Sequence, residues 1–226
     1  MSTSDPQSIT VYLGSSGHCR DIFKDGAKAL GHQIADSGYN LIYGGMDAGL
    51  MGILANASLA GGGHVTGVIP RKIIDVQRFH EGLSDSVFVD TLWERKKIMF
   101  ARADAILAFP GGFGTLDEML EVIYWAVLGR HAKPLIFMNI DGYWDSALAH
   151  LAGLADLPAN CYSAVDDPEE LANAIERFPG NKSGNGLTDL PHFENEIVRD
   201  TKTPVVIDTL SLPETYRFIT ALGLRQ

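Results

Sequence analysis

Short apolar runs alternate with segments of helical periodicity between residues 9 and 178. The runs fit buried strands, and the segments, with apolar residues every three to four positions, fit helices. Strands that alternate with helices form a parallel sheet covered on both faces. We therefore expect an α/β fold, a doubly wound Rossmann-like parallel sheet with helices on both faces. The predicted strands are 9–13, 39–43, 64–69, 86–89, 103–109 and 134–138, and the predicted helices are 21–36, 50–59, 91–102, 115–129, 143–155 and 168–177.

A change in composition near residue 180 divides the chain unequally. A chain of 226 residues is long enough for one sizeable core with an appendage. The stretch 179–191 is rich in glycine, asparagine and serine, which is typical of a loop. We expect residues 1–180 to form the main domain. Residues 181–226 are expected to form a C-terminal extension packed on this core, with a strand at 204–207 and a helix at 213–222.

Charge and composition narrow the range of partners. The net charge of −10 argues against a broad nucleic-acid or membrane surface, but it allows a small anion in a locally basic pocket. No apolar run is long enough to span a bilayer, and the N-terminus is polar. The two cysteines, Cys19 and Cys161, form no cluster, and the seven histidines are scattered. We expect a cytoplasmic protein without a metal site.

The segment from Pro110 to Glu118, Pro-Gly-Gly-Phe-Gly-Thr-Leu-Asp-Glu, follows a predicted strand and opens a predicted helix. Its glycines allow backbone N–H groups to approach an anion without hindrance from a Cβ atom. The start of the helix adds unpaired N–H groups and the positive end of the helix dipole. This arrangement predicts a phosphate site, and Glu118 lies one turn into the helix, where it would meet a bound sugar.

Several phosphate ligands and reaction types are excluded by the motifs that the chain lacks. A dinucleotide site needs G-x-G-x-x-G after the first strand, and the chain has Gly14-Ser15-Ser16-Gly17 there. The P-loop, metal-ligand spacing and the G-x-S-x-G elbow of esterases are also missing. A mononucleotide or a sugar phosphate remains, and we expect no cofactor.

The segment 110–118 resembles the PGGxGTxxE motif of the lonely-guy (LOG) phosphoribohydrolases, many of which were once labelled lysine decarboxylases. An Arg-Lys pair, Arg95-Lys96, lies upstream as in that family. The resemblance covers about residues 9–178. It implies hydrolysis of nucleoside 5′-monophosphates, among them cytokinin riboside monophosphates and AMP, to the free base and ribose 5-phosphate, by a homodimer. Residues 1–180 would then be the nucleotide-binding catalytic domain.

The resemblance also implies roles for individual residues. Arg95 and Glu118 are expected to be catalytic. The residues expected to bind the substrate are Gly14, Ser15, Gly45, Lys96, Gly111, Gly112, Gly114 and Thr115. The leaving base remains open, because Leu92-Trp93 and Met46 depart from the family pattern.

Two alternatives remain beside these expectations. Thr115 and Glu118 have the spacing of a capping box, in which Glu118 would only bond the backbone N–H of Thr115. The whole protein could instead be a non-catalytic nucleotide carrier, similar to the molybdenum-cofactor carriers, which use comparable glycine loops. A decarboxylase dependent on pyridoxal phosphate finds no support in the residues.

Overall fold

The structure, a computed structural model, describes residues 7–74, 78–154, 157 and 161–178. The predicted extension at 181–226, with its strand and helix, lies outside the described residues, as does the predicted domain boundary at residue 180. None of the helices in the described ranges is long and apolar enough to cross a membrane.

The described residues form one parallel sheet of seven strands in the order β4-β3-β2-β1-β5-β6-β7. The chain winds outward from the centre to one edge, returns to pair β5 with β1, and then winds outward to the other edge. This is the doubly wound topology that the alternating pattern predicts. The strands are β1 (Ser8–Tyr12), β2 (Asn40–Tyr43), β3 (Val65–Pro70), β4 (Asp85–Val89), β5 (Ala105–Ala108), β6 (Leu135–Met138) and β7 (Ser163–Val165).

Helices cover both faces of the sheet, and two separate apolar clusters fill the space beneath them. The side chains of β5 alternate between these clusters: Leu107 packs with α1 and α2, and Ile106 packs with α4 and α5. Because both faces are buried, the central strands are apolar at nearly every position. The helices are α1 (Asp21–Asp36), α2 (Gly49–Ala60), α3 (Arg71–Ile74), α4 (Leu92–Arg102), α5 (Phe113–Val127), α6 (Asp145–Ala152) and α7 (Leu171–Arg177).

The seventh strand is absent from the sequence prediction. It has three residues and lies at the edge of the sheet, and of these only Val165 is buried. Such a short segment carries no detectable alternation. The predicted helix at 115–129 also begins two residues too late, since α5 starts at Phe113.

Candidate active site

The strand order reverses between β1 and β5, and the turns that follow these two strands contact each other. The backbone N–H of Gly14 donates a hydrogen bond to the carbonyl of Pro110 over 3.3 Å. A Cβ atom on Gly111 would lie 2.1 Å from Oγ1 of Thr115 and 2.9 Å from the nitrogen of Gly14. Only glycine therefore fits at position 111. In doubly wound sheets, ligands bind at this reversal point, beyond the carboxyl ends of the strands.

The 110–114 turn leads directly into α5, with Gly112 as the residue that caps the helix. The first N–H groups of a helix have no partner within it, and the dipole makes this end positive. A Cβ atom on Gly112 or Gly114 would meet open space among the described residues. Neighbouring protein atoms therefore do not require glycine at these two positions, and its absence of a side chain leaves the backbone open to a ligand.

A cavity of about 310 Å³ lies against both turns, and His18, Arg20 and Tyr143 also line it. This volume is at the lower end of the range for small-molecule sites. A larger cavity, of about 470 Å³, lies between β7 and α7 at the edge of the sheet. The smaller cavity is the better candidate, because it adjoins the reversal point and the unpaired N–H groups of α5.

Arg95 on α4 and Glu118 on α5 form a buried ion pair at this end of the sheet. Nη2 of Arg95 donates to Oε1 of Glu118 over 3.0 Å, and the two side chains are only 10% and 8% exposed. The guanidinium also packs against the turn after β2, since a Cβ atom on Gly44 would lie 2.8 Å from Nη2. The buried Nε of Arg95 has no hydrogen-bond partner among the described residues. The pair thus leaves one buried donor unsatisfied.

The pKa of Glu118 is raised from its usual value near 4.5 to about 7. The largest cause is burial, which disfavours the charged carboxylate, and the positive charge of Arg95 opposes it only in part. Glu118 therefore changes its protonation state close to neutral pH. Carboxyl groups shifted in this way by burial, with a specific charged partner, are characteristic of functional sites.

Lys96 lies beside Arg95 but contacts other carboxylates. Its Nζ lies 3.0 Å from Oδ2 of Asp117 and 2.6 Å from Oε2 of Glu121. Burial lowers the pKa of Lys96, but these two carboxylates outweigh burial and raise the pKa overall. The ammonium group is therefore firmly charged and held against α5.

The structure excludes the alternative in which Thr115 and Glu118 form a capping box. Because α5 begins at Phe113, Thr115 lies within its first turn, buried with its side chain against Gly111. Glu118 turns instead toward α4 and Arg95. The spacing alone could not reveal this, because the position of the cap depends on where the glycine turn ends.

A capping box does form at the start of α4. The N–H of Glu94 donates to Oγ1 of Thr91, and the N–H of Thr91 donates to Oε2 of Glu94, both over 3.1 Å. This cap fixes the first turn of α4. It therefore also fixes the direction in which the side chain of the next residue, Arg95, points away from the helix.

The remaining predicted residues lie around the same end of the sheet. Ser15 is half-buried in the turn after β1, and a Cβ atom on Gly49 would lie 2.7 Å from its carbonyl oxygen. Gly45 has φ +79° and packs closely on Ile69, so packing and backbone conformation account for this glycine. Its neighbour Gly44, which contacts Arg95, is absent from the sequence prediction.

Tyr143 is a second residue that the sequence prediction missed. Its hydroxyl donates a hydrogen bond to the carbonyl of Gly111, in the 110–114 turn. The only local signal is the preceding Asp141-Gly142, a typical turn pair after β6. Nothing in the sequence indicates that the tyrosine reaches a turn 32 residues earlier.

Comparisons with known proteins point to one family. The sequence profile of a family described as "Possible lysine decarboxylase" matches residues 51–175. The chain is 40% identical over 148 residues to the cytokinin riboside 5′-monophosphate phosphoribohydrolase LOG2 of Arabidopsis thaliana, covering 66% of this chain and 70% of that protein. It is 45% identical over 176 residues to the probable cytokinin riboside 5′-monophosphate phosphoribohydrolase LOGL9 of Oryza sativa subsp. japonica, covering 75% and 78%.

Solved structures also share the fold. A molybdenum cofactor binding protein from the phototrophic bacterium Rippkaea orientalis superposes with a TM-score of 0.60 at 23% identity. The match covers 76% of this chain and 96% of that one. At this level of identity, the likeness concerns the fold alone.

Proposed function

This chain belongs to the family of the LOG cytokinin riboside 5′-monophosphate phosphoribohydrolases, and on that basis we propose that it hydrolyses nucleoside 5′-monophosphates. In this reaction water attacks the anomeric carbon of the ribose while the bond from that carbon to the base nitrogen breaks. The bonding electrons and a proton go to the base, and the hydroxyl group stays on the sugar. The products are the free base and ribose 5-phosphate.

The observation that carries the proposal is the buried pair of Arg95 and Glu118 beside a glycine turn at a helix start. Breaking the bond to the base develops positive charge on the ribose, as in glycoside hydrolysis. In our proposal the Glu118 carboxylate stabilises this charge, bonds the ribose hydroxyls and orients the water. Because its pKa is about 7, much of Glu118 is ionised at neutral pH, and it can accept a proton from the attacking water.

Arg95 acts, in this proposal, on the leaving base. A guanidinium remains protonated in proteins, so it stabilises negative charge on the departing nitrogen rather than donating a proton to it. Its unpartnered Nε provides a donor, while Nη2 remains bound to Glu118. The same contact with Glu118 keeps part of that carboxyl group ionised.

The 5′-phosphate is proposed to bind at the start of α5, where Gly111, Gly112, Gly114 and Thr115 surround the unpaired N–H groups. In this proposal Gly14 and Ser15 also bind the substrate, from the turn after β1, and Gly45 supports the turn that carries Gly44 against Arg95. Lys96 contributes positive charge at the edge of the site. Binding energy gained at the phosphate holds the ribose in place for attack.

We also propose that the protein forms a homodimer through α5. Three large apolar side chains, Leu120, Tyr124 and Leu128, are more than half exposed and recur every four residues, so they form one stripe along this helix. Such a stripe is the usual signature of a helix that packs on a partner. Sedimentation should give a dimer mass for the native chain and a monomer mass for Leu120→Glu. A monomeric native chain would contradict this assignment.

The test of the activity is an incubation of the purified full chain with AMP, isopentenyl-AMP, GMP and CMP, followed by chromatography. We expect free base and ribose 5-phosphate in equal amounts from the adenine nucleotides, with no release of inorganic phosphate. A carrier would bind AMP and release nothing. The cytoplasmic location suggested by the sequence stays a prediction.

A further inference from the structure

The segment that follows β6, residues 140–143, reaches across to the site and is called the strap here. Asp141 has φ 53°, the one positive value among the non-glycine residues described, and Gly142 has φ 68°. Such values are uncommon for a residue with a side chain. The carboxylate of Asp141 pairs with Arg20, at the start of α1, over 2.5 Å. The strap is therefore tied to the chain that follows the turn after β1.

Aromatic contacts fix the ring of Tyr143 at the end of the strap. It meets Phe23 of α1 edge to face, with ring centroids 5.2 Å apart, and its neighbour Trp144 at 4.9 Å. Phe23 and Trp144 are buried, so both contacts are anchored in the core. With its ring held in this way, Tyr143 directs its hydroxyl to the carbonyl of Gly111.

This hydrogen bond fixes the orientation of one peptide unit of the 110–114 turn, the proposed phosphate site, which is called the phosphate turn from here on. The carbonyl of Gly111 and the N–H of Gly112 belong to the same planar unit and point in opposite directions. A peptide between two glycines rotates as a unit with little steric resistance. Rotation would turn the negative carbonyl oxygen to where the N–H now points. The contact from Tyr143 opposes that rotation.

We propose that Tyr143 is a positioning residue for the phosphate turn, which keeps the Gly111–Gly112 peptide in the orientation that binds an anion. The inference rests on the proposed function only in taking the ligand to be a 5′-phosphate. Tyr143 touches neither the anomeric carbon nor Glu118 in this proposal. Its loss should weaken binding of the phosphate and leave the chemical step nearly unchanged.

The experiment compares the native full chain with Tyr143→Phe, which removes the hydroxyl and keeps the ring contacts. Calorimetry gives Kd for inorganic phosphate and for the product ribose 5-phosphate, and steady-state kinetics with AMP gives kcat and KM. We expect both Kd values and KM to rise about three- to tenfold, as for one lost hydrogen bond, with kcat changed less than about twofold. Inhibition by adenosine, which lacks the phosphate, should stay the same.

Tyr162→Phe is the matched control, because it removes the same hydroxyl from a residue just before β7, at the amino end of the sheet. It should leave all these constants as in the native chain. Thermal unfolding of each variant separates a loss of phosphate affinity from a loss of fold. A general loss of structure would weaken the binding of adenosine and of phosphate alike, and such a result would contradict the positioning role.

Unchanged Kd values for phosphate and ribose 5-phosphate in Tyr143→Phe would overturn the inference, as would a fall in kcat without a change in KM. The proposed function has a separate readout. If the native chain binds AMP without releasing adenine, the hydrolase proposal fails, while the effect of Tyr143 on Kd can still be measured.

Discussion

Two groups of charges join α4 to α5, and they begin one residue apart on α4. The inner pair, Arg95 and Glu118, is buried. The outer cluster consists of Lys96, Asp117 and Glu121, and the side chain of Asp117 is 63% exposed. In the outer cluster one cation meets two carboxylates, whereas in the inner pair one cation meets one carboxylate.

The two groups differ electrostatically because they differ in their exposure to water. Water screens exposed pairs, which contribute about 0–1 kcal/mol to stability. Burial instead removes the water that stabilises a charged carboxylate, and Arg95 offsets this only in part, so the pKa of Glu118 is about 7. Neighbouring positions on the same two helices therefore give one buried pair with a raised carboxyl pKa and one cluster that mainly joins the helices. Variants in each group test this distinction.

The largest effect is expected for Glu118→Gln, which keeps the shape and the ability to accept a bond from Arg95. Hydrolysis of AMP should fall by a factor of about one hundred or more, because a catalytic carboxylate is lost. Circular dichroism and the thermal midpoint should show a folded protein. The control, Asp117→Asn in the outer cluster, should lower kcat less than about threefold. Equal losses in both variants would erase the distinction between inner pair and outer cluster.

Arg95→Ala should lower kcat/KM by about ten- to one-hundredfold, since it removes the cation proposed to face the leaving base. It also removes the charge that holds down the pKa of Glu118, so the acidic limb of the pH profile should move to higher pH. Arg102→Ala, an exposed position on the same helix, serves as the control. Full turnover in Arg95→Ala would exclude Arg95 from the mechanism.

The pH dependence of the native chain should follow Glu118. Burial raises its pKa to about 7, so the proton is lost as the pH rises through neutrality. With the carboxylate as the active form, kcat/KM for AMP should increase about tenfold from pH 6 to pH 8 and then level off. A rate that decreases over this range would assign activity to the protonated acid. The residual activity of Glu118→Gln should not show this increase between pH 6 and pH 8.

The smallest effect is expected for Lys96→Met in the outer cluster. The positive charge at the edge of the site is lost, so KM for AMP should rise about two- to fivefold with little change in kcat. The acidic limb should move slightly upward, because Lys96 lowers the pKa of Glu118. The control is Lys28→Met, the same change at an exposed position of α1. A rise in KM as large as the effect of Arg95→Ala would remove the distinction between the two groups.

Most strands and helices of this fold were predicted from the local pattern of apolar residues. Apolar runs such as 105–109 predicted central strands because a strand buried on both faces must be apolar throughout. Strand β7 was missed because three residues at a sheet edge carry too little pattern. Glu118 was indicated by its position one turn into the helix after the glycine turn, and Arg95 only by the family resemblance. Their contact was not predicted, since nothing in their separate segments indicates that they meet.

The linear sequence determined which segments are strands and helices, and it placed glycines in the turns that follow β1, β2 and β5. These properties depend on neighbours within a few positions, through backbone sterics and side-chain periodicity. Only the tertiary structure decided that Glu118 contacts Arg95 rather than its own helix start, and that Tyr143 reaches Gly111. The pKa of a carboxyl group and the orientation of a peptide depend on burial and on contacts between distant segments, which exist only once the chain has folded.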